Sequence, residues 1–164
     1  MMMHIAPLTT PIGILYIGTT DKAVVLCDWA SRRNNRQFIQ RVSARLGLKT
    51  TEGETPLTDL VKSQLHEYFS GSRQTFDLPL HFSGTPFQES VWHAIAMIPY
   101  GTTVSYSDIS RRIGRPGAVR AVANAIGANR LSVILPCHRV TAVSSLGGYA
   151  GGTNVKRALL DLEI

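Results

Sequence analysis

Cysteine is scarce: Cys27 and Cys137 are the only two in 164 residues, 110 positions apart. That argues against a disulfide-stapled secreted scaffold, and with no CxxC and no Cys/His cluster there is no metal motif. Both thiols are expected to be reduced. Long hydrophobic runs are also missing, and none approaches the roughly 18–20 apolar residues of a membrane span. The opening MMMHIAPLTTPIG has neither the basic start nor the long apolar stretch of a signal peptide. The expectation is a cytoplasmic protein with no membrane partner. No internal repeat or low-complexity tract is present, which excludes solenoid architectures.

Charge of one sign is depleted in the second half. Residues 90–140 hold six arginines (Arg111, Arg112, Arg115, Arg120, Arg130, Arg139), no lysine and a single acid, Asp108. A surface built from this segment attracts polyanions such as nucleic acid; a solvated basic face without a partner is the plainer alternative. What the chain does have is apolar content: 44% hydrophobic against 17% charged residues is enough to bury a core in one ordinary domain or two small ones.

Residues 1–30 read as strands, with Ile14 to Ile17 and Ala23 to Leu26 as short β-prone runs after turns at Pro11-Ile12-Gly13 and Gly18 to Lys22. Helical spacing follows in 35–47 (Phe38, Val42, Leu46) and 56–70 (Leu57, Leu60, Val61, Leu65, Tyr68), with Gly71 ending the second helix. Thr75 to Leu80 is strand-like, and Ser83-Gly84 forms a turn. Beyond it, GTPFQESVW carries a capping box, Thr85 with Gln88, and Pro86 at the first helical position, so a helix is expected to about Met97. Ser105 with Asp108 starts a shorter helix that Gly114 closes, and another spans about Ala118 to Ile126. Two short helices across a Gly/Pro turn match a helix-turn-helix, as do many unrelated helix pairs. Ala118, Ala121, Ala123 and Ala125 leave the second helix little bulk, suiting either close approach to a surface or tight helix packing. The fold class expected is an α/β N-terminal domain, residues 1–83, and a mainly α C-terminal domain with a helix-turn-helix, residues 84–164.

Cys137 lies in ILPCHRV, between a proline and a histidine. Cysteine is among the most often buried residue types, so core packing is one reading. A nucleophile is the other, because His138 and Arg139 follow directly and positive charge stabilises a thiolate. Cys27 is assigned to core packing, and His4, His66, His81 and His93 to surface or structural positions.

ILPCHRV, GTPFQESVW, IPYGTTVSYSDISRRIGRPGAVRAVANAIGANR and GYAGGTNVKRALLDLE together resemble the O6-alkylguanine-DNA alkyltransferases, the methylated-DNA:protein-cysteine methyltransferases. The resemblance is close over residues 84–163. Over 1–83 it extends only to length and strand content. It implies a single-turnover reaction in which Cys137 takes and keeps an alkyl group from O6 of guanine, and from O4 of thymine, in duplex DNA, with the base flipped out and no cofactor or metal. Neighbouring side chains on an extended chain point to opposite sides, so His138 is expected to reach Cys137 through a water, as in the family. Glu163 matches the acid that orients this histidine; by sequence alone it reads as a solvated terminal acid. Tyr106 matches the tyrosine that bonds the guanine edge, and Asn129 the asparagine that braces the active-site turn. Arg120 matches the arginine that fills the space of the flipped base. DNA contacts are further implied for Thr103, Ser105, Ala121 and Arg139, and pocket positions for Pro136, Val140, Tyr149 and Ala150. The partner implied is double-stranded DNA containing alkylated guanine, bound by a monomer.

Three departures from the family pattern stand out: the loop Thr141 to Gly147 is about a residue shorter than in some relatives and Ala150 stands where some members have a serine, both of which bear on substrate range, and Ser132 replaces a proline found in some members, which is expected to loosen the pocket wall. Two other functions compete. A damage sensor of the alkyltransferase-like kind lacks the cysteine that this chain has. A cysteine hydrolase requires an oxyanion hole and turnover, which a stable thioether does not permit.

Overall fold

Thr10 and Gly13 bracket a two-residue turn whose first residue, Pro11, has no N–H to give to a ladder. That turn folds β1 (Met2–Thr10) antiparallel onto β2 (Gly13–Thr19), and β3 (Val24–Trp29) pairs antiparallel with β2. The computed structural model describes all residues, 1–164, and the chain divides into two compact units, Met1–Phe82 and Ser83–Ile164.

In the first unit, helix α1 (Asn35–Arg45) carries the chain back to β4 (Lys49–Glu52), which lies parallel to β1. The sheet order is therefore β3-β2-β1-β4. Phe38 and Val42 of α1 pack on Met3, Val25 and Leu26. Gly18 is required at the bulge between β2 and β3, since a Cβ there would lie 2.7 Å from Met3 Sδ and 2.9 Å from Leu26 Cβ. Helix α2 (Pro56–Phe69) is capped by Thr55 and Thr58 and buries Val61, Leu65 and Tyr68. Cys27 is buried, and burial holds its thiol far above its ordinary range, in keeping with core packing.

The expected strand Thr75 to Leu80 is reduced to one bridge between Leu80 and Val24. The reasons are local. The Gln64 side chain takes both backbone groups of Asp77, at 2.9 Å each, and Pro79 lacks a donor, so only its carbonyl, bonded by Val24 N–H at 2.7 Å, serves the sheet edge.

In the second unit, α3 (Pro86–Ala96) begins at the expected box: Gln88 N–H donates to Thr85 Oγ1 at 3.1 Å and Thr85 N–H to Gln88 Oε1 at 3.0 Å. A two-stranded parallel pair, β5 (Val104–Ser105) and β6 (Val140–Thr141), flanks the short helix α4 (Tyr106–Arg112). Ser105 and Asp108 cap α4 reciprocally, which holds the Asp108 carboxyl below its usual range. Gly114, at φ +74°, closes the helix, and α5 (Val119–Gly127) follows. Trp92 Nε1 donates to Ala125 O at 2.8 Å and ties α3 to α5. Helix α6 (Thr153–Leu162) ends the unit. No helix is long and apolar enough to cross a membrane.

Candidate active site

The segment after α5 is a buried loop, an expensive arrangement unless its backbone polar groups are paired. Every residue from Asn129 to Val140 is buried. Two tight turns fold it. Val133 takes φ +70° with Ile134 N–H bonded to Ser132 O at 2.8 Å, a γ-turn that is strained for a β-branched residue. Pro136, at φ −80° and ψ 62°, forms the relaxed mirror version, with Cys137 N–H on Leu135 O at 2.7 Å. Asn129 braces the loop from inside. Its Oδ1 accepts from Leu131 N–H at 3.0 Å, and its Nδ2 reaches Leu135 O and Cys137 Sγ, each at 3.2 Å.

Cys137–Arg139 form a single 3₁₀ turn. The segment is thus not extended, and the opposite-sides reason for separating Cys137 from His138 gives way to a spacing of about 120° per residue, which still diverges. His138 is fully buried, and Glu163 accepts from its Nε2 at 2.7 Å. Burial lowers the His138 pKa from its ordinary value, against the opposing pull of Glu163. A neutral ring that donates through Nε2 carries its lone pair on Nδ1, the nitrogen that is buried without a hydrogen-bond partner.

Glu163 is a buried acid rather than the solvated one that its terminal position suggests. The same carboxylate receives Arg139 Nε at 2.8 Å and NH2 at 3.0 Å, and Gly101 N–H at 3.4 Å. Arg139 also donates to Ile98 O at 2.8 Å and lies over the Tyr100 ring. Arg139 as a DNA contact is therefore corrected: it is an interior side chain committed to Glu163. Arg130, buried and bonded to Ser83 O, likewise leaves the basic surface. The exposed arginines of 90–140 are Arg111, Arg112, Arg115 and Arg120.

Lys156 is a member of the site that the motifs do not indicate. It is fully buried, with Nζ donating to Val140 O at 2.7 Å and Gly148 O at 3.0 Å, so it ties together the two ends of loop 141–147. Burial pushes its pKa down to about 8, and Cys137 pulls the other way. The signal for it lies in α6, where Lys156, Leu159 and Glu163 share the i, i+3, i+7 face that should be apolar. Two opposite charges on a buried stripe mark a site. Tyr106, half-buried on α4, lies under the same loop: a Cβ on Gly147, itself at φ +77°, would come within 2.9 Å of its hydroxyl. Burial raises the Tyr106 pKa, Cys137 adds to this, and a backbone bond at Gly148 offsets part of it.

The family description "6-O-methylguanine DNA methyltransferase, DNA binding domain" matches residues 86–164. The constitutive methylated-DNA–protein-cysteine methyltransferase of Bacillus subtilis is 42% identical over 161 residues, 94% of this chain and 91% of that one. The Mycobacterium leprae protein of the same name is 39% identical, over 99% of this chain and 93% of its own. The chain belongs to the methylated-DNA–protein-cysteine methyltransferases.

Within that family, the crystal structure of Mycobacterium tuberculosis O6-methylguanine methyltransferase superposes with a TM-score of 0.83 at 38% identity, covering 99% of this chain and 93% of that one. The M. tuberculosis protein in complex with DNA superposes equally well, over 98% and 92%. In this methyltransferase the residues carried over from the family separate into two groups. Asn129 with Cys137 and His138 with Glu163 form two buried hydrogen-bonded pairs that meet at the adjacent residues Cys137 and His138, with Pro136 and Val140 in the same segment. Tyr149 and Ala150 are half-buried beside Gly152, whose N–H bonds Tyr149 O at 3.0 Å. Arg120 and Ala121 are exposed on α5 and Thr103 is exposed before β5, while the Ser105 hydroxyl is occupied as the cap of α4. No three His, Cys, Asp or Glu side chains cluster as metal ligands.

Proposed function

We propose that this chain repairs alkylated DNA directly, moving an alkyl group irreversibly and once per molecule from O6 of guanine, and from O4 of thymine, in duplex DNA to Cys137. The observation that carries the reading is the buried His138–Glu163 pair at 2.7 Å, which leaves a neutral imidazole with a basic Nδ1 next in sequence to a buried thiol.

The chemistry follows from those groups. A free thiol of pKa about 8.5 is only about 3% thiolate at pH 7, so a base is needed. His138 Nδ1 takes the Cys137 proton through a bridging water, and Glu163 stabilises the imidazolium that results. Asn129 Nδ2, 3.2 Å from Sγ, favours the thiolate. Sulfur then attacks the alkyl carbon, the carbon–O6 bond breaks, and its electron pair leaves on the guanine. The Tyr106 hydroxyl stabilises that charge by hydrogen bonding, and the guanine is finally reprotonated from the site. Sulfur ends as a thioether, which water does not readily cleave, so the protein acts once.

A stacked base cannot bring O6 to a buried thiol, and the nucleotide is therefore flipped. Arg120 fills the gap, while Ala121 and the other small residues let α5 enter the minor groove. Thr103 and Ser105 position the backbone, and Pro136, Val140, Tyr149 and Ala150 line the pocket. The residue 84–164 domain carries both DNA binding and transfer, and the monomer suffices. Cys137→Ala tests this division: it should abolish transfer and retain binding to an O6-methylguanine duplex. Loss of that binding in a folded variant would contradict the separation of roles.

A further inference from the structure

The second unit is not alone in carrying a one-signed segment. Residues 29–51 contain Arg32, Arg33, Arg36, Arg41, Arg45 and Lys49 and no acid, between Asp28 and Glu52. Arg32 is accounted for: it pairs with buried Asp28 at 2.8 Å and lies over the Phe38 ring. Arg33, Arg36, Arg41, Arg45 and Lys49 are exposed, and none has an acidic partner.

A helix face shaped only for solubility mixes signs and uses opposite charges at i, i+4. Helix α1 does the reverse. Its solvent face is Arg36, Gln37, Gln40, Arg41, Ala44 and Arg45, and Arg41 and Arg45 are a like-charged i, i+4 pair. Its first turn, where the helix dipole favours acids, has none. Arg45 alone sits where a cation helps the helix. The arrangement costs stability, and four of its five exposed cations are arginine, the side chain whose fork matches phosphate.

We infer that the exposed face of α1 with its flanking Arg33 and Lys49 is a second DNA-binding surface, one that holds the sugar-phosphate backbone without reading sequence. The inference rests on DNA being the partner proposed above. It adds an electrostatic term supplied by the first unit, separate from Arg120 and α5, and predicts that undamaged DNA is held by both units.

The test compares the full chain with a variant carrying Arg33→Gln, Arg36→Gln, Arg41→Gln and Arg45→Gln, and with a second carrying lysine at the same four positions. Each is titrated by fluorescence anisotropy against an undamaged duplex of about 30 base pairs across a salt series. Every phosphate that is no longer neutralised flattens the slope of log K against log salt by about 0.9. The glutamine variant should lose roughly 2 to 4 from the slope and bind at least tenfold more weakly at low salt, and the lysine variant should restore most of the slope. An unchanged slope in a glutamine variant of native circular dichroism would overturn the inference, as would failure of lysine to restore it. In parallel, wild-type protein is given the same duplex carrying O6-methylguanine. If it gains no methyl group, the repair reading fails, while the salt slopes still decide whether the α1 face binds DNA.

Discussion

Replacing Glu163 with glutamine separates the two duties of its carboxylate. The oxygens accept from His138 Nε2 at 2.7 Å and from Arg139 at 2.8 and 3.0 Å, all out of water. Glutamine keeps the shape but removes the charge, leaving the Arg139 guanidinium buried and uncompensated. Breaking a buried pair from one side costs about 3–5 kcal/mol. For a chain of this length that lowers Tm by roughly 6–20 °C. Independently, the imidazolium formed during proton transfer loses its stabilising carboxylate, and general-base assistance is worth about 10²- to 10⁴-fold in rate. The two effects part in the double variant Arg139→Met/Glu163→Gln, where no buried charge is left unpaired. Its Tm should recover most of the loss, while transfer, followed by quenched-flow with O6-methylguanine DNA, stays at least 100-fold slow. A double variant that regains the wild-type rate would refute the role of Glu163 in the relay. A single variant of unaltered Tm would refute the buried-pair energetics.

Other outcomes follow from the same cluster. His138 has a lowered pKa, so its neutral form persists below pH 6.5; the acid limb of the transfer rate should lie below that pH, and an acid limb centred above it would contradict the assignment. The unfolded chain binds the extra proton as pH drops from 6.5, so His138 lowers stability in that acid range, which urea titrations at stepped pH will show. Lys156, at a pKa of about 8, should lose its charge and its help to the thiolate above that pH; a corresponding break in the pH–rate profile should vanish in Lys156→Met. Asn129→Ala leaves Leu131 N–H without its partner, at about 1–3 kcal/mol, while Leu135 O keeps its bond from Cys137 N–H; the variant should slow transfer as well as reduce urea resistance. Gly147→Ala forces a Cβ to 2.9 Å from the Tyr106 hydroxyl at φ +77°, and should cost about 1–3 kcal/mol in urea melts and displace the loop, lowering transfer tenfold or more.

Local chemistry is legible wherever a few adjacent residues decide it. Thr85 with Gln88, Ser105 with Asp108, and Gly71 and Gly114 mark helix ends in the sequence because their partners lie within four positions. Thr75 to Leu80 looks like a strand because propensity cannot register Gln64, 13 residues away, occupying the backbone of Asp77. β4 escapes a sequence reading because four polar residues on a sheet edge carry no hydrophobic pattern. The site divides in the same way. Cys137 and His138 stand out as neighbours, whereas the role of Glu163 depends on α6 returning over the loop, 25 residues on. Arg139 reads as a surface cation because composition counts charges without showing which are paired inside.

The most direct test is the intact mass of the protein after incubation with a duplex containing O6-methylguanine, followed by peptide mapping. One methyl group, located on Cys137 and saturating at one per chain, is the result expected. An unchanged mass alongside tight, salt-sensitive binding would contradict the central claim and leave a protein that holds damaged DNA without an activated thiol.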